Sequence, residues 1–183
     1  SGPLEKTNEW YAIAKIAAIK MCHAFSKQYG RNYIAVQPTN LYGERDNFNL
    51  ETSHVMPALI RKTIEAKESN NGNLIIWGSG KPLREFLYVE DLADAIIFIE
   101  KNGITKPLIN IGSNFEVSIL ELANIIRNVV GFSGDMVFDS QKPDGTPRKK
   151  LDTSFLDSQG WKASTNLESG IKKTIHWYLE NRA

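Results

Sequence analysis

The chain has 183 residues, 42% of them hydrophobic, with 22 Lys and Arg against 21 Asp and Glu. That content fills one core or two lobes and excludes disordered and fibrous classes, while a net charge of +1 offers no field for nonspecific capture of nucleic acid or a membrane surface. A single cysteine, Cys22, excludes an intramolecular disulfide framework and fits a reducing, cytoplasmic setting, and no apolar run approaches the roughly 20 residues of a membrane span.

In chain order, Thr7-Asn-Glu-Trp10 reads as a helix start with Thr7 as N-cap, and Tyr11, Ile13, Ile16, Met21 and Phe25 carry the helix to Gly30. Tyr33 to Gln37 is an apolar run closed by Pro38, as expected of a buried strand that delivers the loop 39–43. Ser53 opens a second helix through Lys67. Strands are predicted at 74–77 and 85–88, separated by Gly78-Ser79-Gly80, and a helix follows from Val89 to about Glu100. Pro107 to Ile111 is a further strand, Ser118 with Glu121 forms a capping-box pattern for a helix over 119–130, and Met136 to Phe138 is a strand. Residues 142–149 read as a polar loop and 167–181 as the last helix, with Ile171, Ile175, Trp177 and Tyr178 on its apolar side. Alternating helices and strands predict an α/β fold. No glycine-rich phosphate turn joins a strand to a helix; Gly43 and the 78–80 turn lack the spacing.

Tyr11 and Lys15 stand four apart, so a helix places them on one face. A phenol donates its proton poorly at neutral pH unless a nearby ammonium stabilises the phenolate; so tuned, it can protonate a carbonyl oxygen as hydride reaches the carbon. An aromatic ring packed on a lysine stem is the structural alternative. The pair alone does not choose between them.

Its company does. Downstream stand PTNLYG at 38–43, SHVMPALIRK at 53–62, IWGSGKPLREFLYVEDLADA at 76–95, NIGS at 110–113 and KPDGTPRKKLD at 142–152. In order and spacing these resemble the extended short-chain dehydrogenase/reductase superfamily. SHVMPAL and KPDGTPRK are the narrower signals, and they resemble the GDP-L-fucose synthase family within it. The resemblance implies a C-terminal part of such an enzyme: a partial Rossmann-type sheet plus a smaller α/β substrate domain. Residues 1–52 would be the remnant of the NADP-binding domain, and 53–183 mainly the nucleotide-sugar domain, with 85–113 returning to the Rossmann sheet. The family's Gly-x-x-Gly-x-x-Gly turn would lie upstream of residue 1, so this chain alone is expected to bind NADPH weakly and to be impaired.

What the resemblance implies for residues is specific. Tyr11 would protonate the C4 oxygen of a keto sugar, and Lys15 would lower its pKa while bonding the nicotinamide ribose. His54 would exchange protons at C3 or C5, which the neighbouring keto group acidifies, and would also border the cofactor. Pro38, Thr39, Asn40 and Leu41 would lie along NADP at a strand's carboxyl end. Lys62 and Arg84 would grip the diphosphate, Trp77 would border the sugar nucleotide, and Asp144 would contact a ribose or guanine edge. The structural alternatives are a capping or surface residue for His54, a core tryptophan for Trp77 and a simple turn for Pro143-Asp144-Gly145. Cys22 follows the tyrosine, whereas the family's epimerisation cysteine precedes its own, so Cys22 reads as structural. No metal ligand set is present in the pattern.

The resulting expectation is an NADP-dependent enzyme converting GDP-4-keto-6-deoxy-D-mannose to GDP-L-fucose by epimerisation at C3 and C5 and reduction at C4. Another NAD(P)-dependent nucleotide-sugar epimerase or dehydratase, and a noncatalytic nucleotide-sugar-binding or dimerisation module, stand as alternatives. The stripe Ala12, Ile16, Ile19 and His23 is expected to join a second copy in a homodimer.

Overall fold

A computed structural model describes residues 2–69 and 72–182. A short 3₁₀ turn, Lys6–Asn8, leads into α1 (Glu9–Tyr29), which ends where Gly30 takes a left-handed φ of 60°. The N-cap position belongs to Asn8 rather than Thr7, whose side chain lies outside the described atoms. There follow β1 (Ala35–Pro38), β2 (Asn40–Tyr42), α2 (Val55–Glu68), β3 (Leu74–Trp77), β4 (Leu83–Tyr88) and α3 (Val89–Lys101). The second half holds β5 (Leu108–Ile111), β6 (Glu116–Ser118), α4 (Ile119–Val130), β7 (Met136–Asp139), β8 (Arg148–Lys149), α5 (Ser154–Ser158) and α6 (Leu167–Asn181).

This is the expected α/β architecture, with parallel pairing of β1 to β5, β2 to β4 and β3 to β7. The expected loop at 39–43 is in large part strand: after Pro38 the chain leaves β5, and Asn40 to Tyr42 pair with Phe86 to Tyr88. Thr39 is the switch, with its N–H still bonded to the Ile111 carbonyl at 2.9 Å. Of the short elements, β8 falls in the segment read as a polar loop, and β6 and α5 fall where the sequence predicts no element. Both β6 (antiparallel) and β8 (parallel) pair with the first half of β4.

Two apolar cores sit on opposite faces of β4, as a period of two dictates. Phe86 and Tyr88 enter the first with Met56, Ile60, Leu122, Ile126 and Ile171; Leu87 enters the second with Ala95, Ile109, Ile111, Leu156 and Trp161. The first is closed by α2, α4 and α6, the second by α3, α5 and β5. The α4 capping box is present in both directions: Ser118 Oγ accepts the Glu121 N–H at 3.1 Å and Glu121 Oε2 accepts the Ser118 N–H at 2.7 Å.

Helix α1 differs from the others in having no fully buried residue. Ala12, Ile19 and His23 are half-buried, and His23 lines a hollow with Leu108 and Asn110. Ile16 is exposed, and so are Trp10 (83%) and Met21 (55%) around the helix from it. Of the stripe expected to meet a second copy, His23 thus adjoins β5 and Ile16 stands in solvent.

Candidate functional site

Strand β3 alternates: Leu74 and Ile76 point into the first core, while Ile75 and Trp77 face out, which leaves the Trp77 indole 55% exposed. Two ammonium groups stand over that ring, Lys62 Nζ from α2 at 4.6 Å and Lys142 Nζ at 5.1 Å from the centroid. The chain turns directly after Trp77 through Gly78 and Gly80, with φ of 76° and 73°. Into this turn reaches Asp144, whose Oδ1 accepts the Ser79 N–H at 2.8 Å and whose Oδ2 accepts the Ser79 hydroxyl at 2.6 Å. A side chain at Gly78 would collide with that carboxylate. Gly78 thus serves a carboxylate clasp between β3 and the 140–149 segment, while Gly80 makes room for Phe138 and Leu120.

Arg84 closes the far side of the clasp. Its Nη1 donates to the carbonyls of Leu83 at 2.7 Å and Thr146 at 2.6 Å. Burial pushes the pKa of both Lys62 and Arg84 down, and for Arg84 the nearby Asp144 charge opposes that shift. Ser79's hydroxyl and amide hold the Asp144 carboxyl below its ordinary value, helped by Lys81 and Arg84. Two ammonium groups over one exposed indole, with the partly desolvated Arg84 guanidinium across the Asp144 clasp, form a place where an anion gains more than it would at an open surface. The four sequence-predicted substrate residues Lys62, Trp77, Arg84 and Asp144 are therefore neighbours, although they come from α2, β3, β4 and a loop.

His54 is the N-cap residue of α2, in extended geometry, a position expected for Ser53. Its side chain makes no capping hydrogen bond, which answers the capping alternative, and the imidazole is exposed. Asp46, on the segment before it, is pushed up by burial, while the Asn47 amide and the nearby His54 draw it down.

Tyr11 and Lys15 share one face of α1 as the spacing requires, with the Lys15 ammonium 5.3 Å from the centre of the Tyr11 ring. Tyr11 is 60% exposed. Pro38 ends β1 beside Ile111 of β5. The next residues spend their polar groups internally: Thr39 Oγ1 donates to the Glu85 carbonyl at 3.2 Å and Asn40 Nδ2 to the same oxygen at 2.7 Å, while Leu41 packs against the second core.

Glu85 itself was not singled out by its residue type, because a strand carboxylate reads as solvent-facing. It is wholly buried, and its Oε1 accepts the Asn114 N–H at 2.8 Å and its Oε2 the Leu151 N–H at 3.4 Å. Lys142 and Ser79 likewise carry no signal of type, although both lie within the motif segments at 142–152 and 76–95.

The sequence model of the NAD dependent epimerase/dehydratase family matches residues 1–112. Over the whole chain the sequence is 58% identical to GDP-L-fucose synthase from Sinorhizobium fredii, covering 58% of that protein. It is 49% identical to GDP-L-fucose synthase from Escherichia coli over 99% of the chain, covering 59% of that protein. Among solved structures, a GDP-L-fucose synthetase from Naegleria fowleri bound to NADP superposes with a TM-score of 0.88 at 34% identity, over 98% of this chain and 58% of that one. The chain thus spans somewhat over half the length of the curated relatives it matches.

Proposed function

From the premise that this chain belongs to the NAD dependent epimerase/dehydratase family, we propose that it carries the acid–base and nucleotide-sugar-binding parts of an NADP-dependent GDP-L-fucose synthase. The observation that carries this reading is the position of α2. His54 heads the helix and Lys62, eight residues on, stands over Trp77. At 1.5 Å per residue those positions are about 12 Å apart along the axis, the scale of a hexose joined to a diphosphate. A GDP-sugar whose diphosphate meets Lys62 and Arg84 would lay its hexose toward His54. Trp77 and Asp144 would border the nucleotide side.

In this reading His54 removes and returns a proton at the carbons flanking the 4-keto group, and its freedom from any capping bond leaves both ring nitrogens available. Tyr11 gives its proton to the C4 oxygen, with the Lys15 ammonium beside its ring. Lys15 makes no hydrogen bond of its own among the described residues, so its ammonium is available to a cofactor ribose. The fit to NADP rests on that and on the β1 terminus, where Pro38 and Thr39 are pinned against Ile111 and Glu85; NADPH, when bound there, would supply the hydride to C4. Because Thr39 and Asn40 use their side chains internally, that segment would meet the cofactor through its backbone and the Pro38 ring.

The two cores support a division in which β1, β5, α3 and residues 151–163 form the cofactor side, and α2, β3, α4 and α6 the sugar-nucleotide side. A soluble, cytoplasmic homodimer is part of the same proposal; among the described residues, no helix is long and apolar enough to cross a membrane. The test is product analysis on the complete protein with NADPH. GDP-4-keto-6-deoxy-D-mannose should yield GDP-L-fucose, and turnover of a UDP-linked keto sugar in its place would overturn the substrate assignment.

A further inference from the structure

The segment between β2 and α2 contains no helix or strand, yet its geometry is closely determined. Asn47 Oδ1 accepts the Asn49 N–H at 3.0 Å, and Asn49 Oδ1 accepts the Glu51 N–H at 2.8 Å and the Thr52 N–H at 3.2 Å. Asn47 Nδ2 donates to the Thr52 hydroxyl at 2.9 Å, and the Ser53 N–H bonds back to the Asn49 carbonyl at 2.8 Å. These bonds make residues 46–53 a preformed unit whose last residue adjoins His54. Bonds within the unit fix its shape. They do not fix where it sits.

Its seat is supplied by Phe48. The ring packs on α6, 4.4 Å from the Tyr178 ring centre at 31° and 6.3 Å from the Trp177 ring at 24°. Arg61 Nη1 of α2 donates to the Phe48 carbonyl at 3.1 Å, and its Nε is held by Glu65 at 2.7 Å. Beside the ring, between this segment and α6, is an open hollow of about 540 Å³ that includes Asn49 and Arg182 on its walls. No other residue of the 46–53 unit makes an aromatic contact with the body of the protein among the described residues. The ring and the Arg61 bond together tie the unit to two helices, one of which begins at His54.

We propose that Phe48 is a positioning residue for His54: seated against Tyr178 and Trp177, it carries the preformed 46–53 unit and thereby sets where the imidazole at the head of α2 stands. The kinetic half of this rests on the reading of His54 given above; the positional half does not. It follows that Phe48→Ala loosens the unit, leaving it held by the Arg61 bond to the backbone of residue 48 and by the hydrogen bonds inside it. Phe48→Leu, which keeps an apolar plug in the same seat, largely restores it.

The two halves are tested separately. The chain has three histidines, so histidine-ring NMR of the 183-residue protein resolves His54 once His54→Gln has identified its signal. In Phe48→Ala the His54 signal should shift and broaden while that of His23, on α1, stays in place, and Phe48→Leu should return it. An unmoved His54 signal in a folded Phe48→Ala protein overturns the proposal, and so does equal displacement of all three, which would mark general loosening. In the complete protein, wash-in of solvent deuterium beside the keto group should fall roughly ten- to a hundredfold in Phe48→Ala, with the KM for the GDP-sugar little changed. If His54→Gln leaves that exchange at the parental rate, the catalytic reading of His54 fails, whereas the NMR result still decides the positional one.

Discussion

Asp144 holds Ser79 with both oxygens of its carboxylate, one on the amide and one on the hydroxyl, across 65 positions of sequence. The clasp is at the surface, so its effect on global stability is small, while its effect on the shape of the Trp77 cradle is direct. Asp144→Ala should leave the melting temperature within about 2 °C of the parent and weaken GDP binding measured by titration calorimetry. Gly78→Ala should weaken it too, because the positive φ and the approach of Asp144 both exclude a side chain there. Unchanged GDP affinity in both variants would remove the clasp from the binding site.

Lys62 gives a pH signature. Burial lowers its pKa in the free protein, and a diphosphate beside it would favour the charged form and raise that pKa again. Binding of GDP should therefore take up protons in an alkaline window that begins near the depressed value, and affinity should fall as pH rises through it. Calorimetry in buffers of different ionisation enthalpy reads the uptake directly. Lys62→Met should abolish it; persistence in that variant would assign the proton elsewhere.

The buried Glu85 predicts a stability loss. Its carboxylate accepts two backbone N–H groups, from Asn114 and Leu151, in a place with no exposed surface. Glu85→Leu leaves those donors without a partner, at a cost of roughly 1–3 kcal/mol. Urea denaturation should show the midpoint falling with the slope unchanged. A variant as stable as the parent would mean that the two amides find other acceptors.

These residues also show what the sequence makes legible. Helices such as α4 and α6 announce themselves because caps and apolar faces repeat every turn, and Ser118 with Glu121 marks its boundary to the residue. The parallel strands β3 and β5 stand out as apolar runs between turn residues. Three-residue strands carry no period to detect, so β6 is invisible in the sequence, and β2 is hidden inside a segment read as a loop because its strand character comes from pairing with β4. Trp77, Lys62, Arg84 and Asp144 were recognisable as candidates by type and motif. That they face one another could come only from the fold. For Glu85, Lys142 and Phe48 no local signal gives the contact each makes, since burial, a cation over a ring and an aromatic seat are all made by distant partners.

The sharpest prediction separates the two acid–base groups. Tyr11→Phe keeps the ring beneath the Lys15 ammonium and removes only the hydroxyl, so in the complete protein reduction at C4 should fall by roughly two to four orders of magnitude. Deuterium exchange at the carbons beside the keto group should persist, because the proposed function assigns that proton to His54. His54→Gln should behave in the opposite sense, losing exchange at one or both carbons while a substrate already of the product configuration at C3 and C5 is still reduced. Product mass and NMR after incubation in deuterium oxide, with and without NADPH, distinguish the patterns. If both variants lost both steps equally, the two side chains would be acting as one unit and the division of labour drawn from α1 and α2 would be wrong. If Tyr11→Phe reduced at the parental rate, the proton at C4 would come from another group, and the pairing with Lys15 would revert to an aromatic ring packed under a lysine.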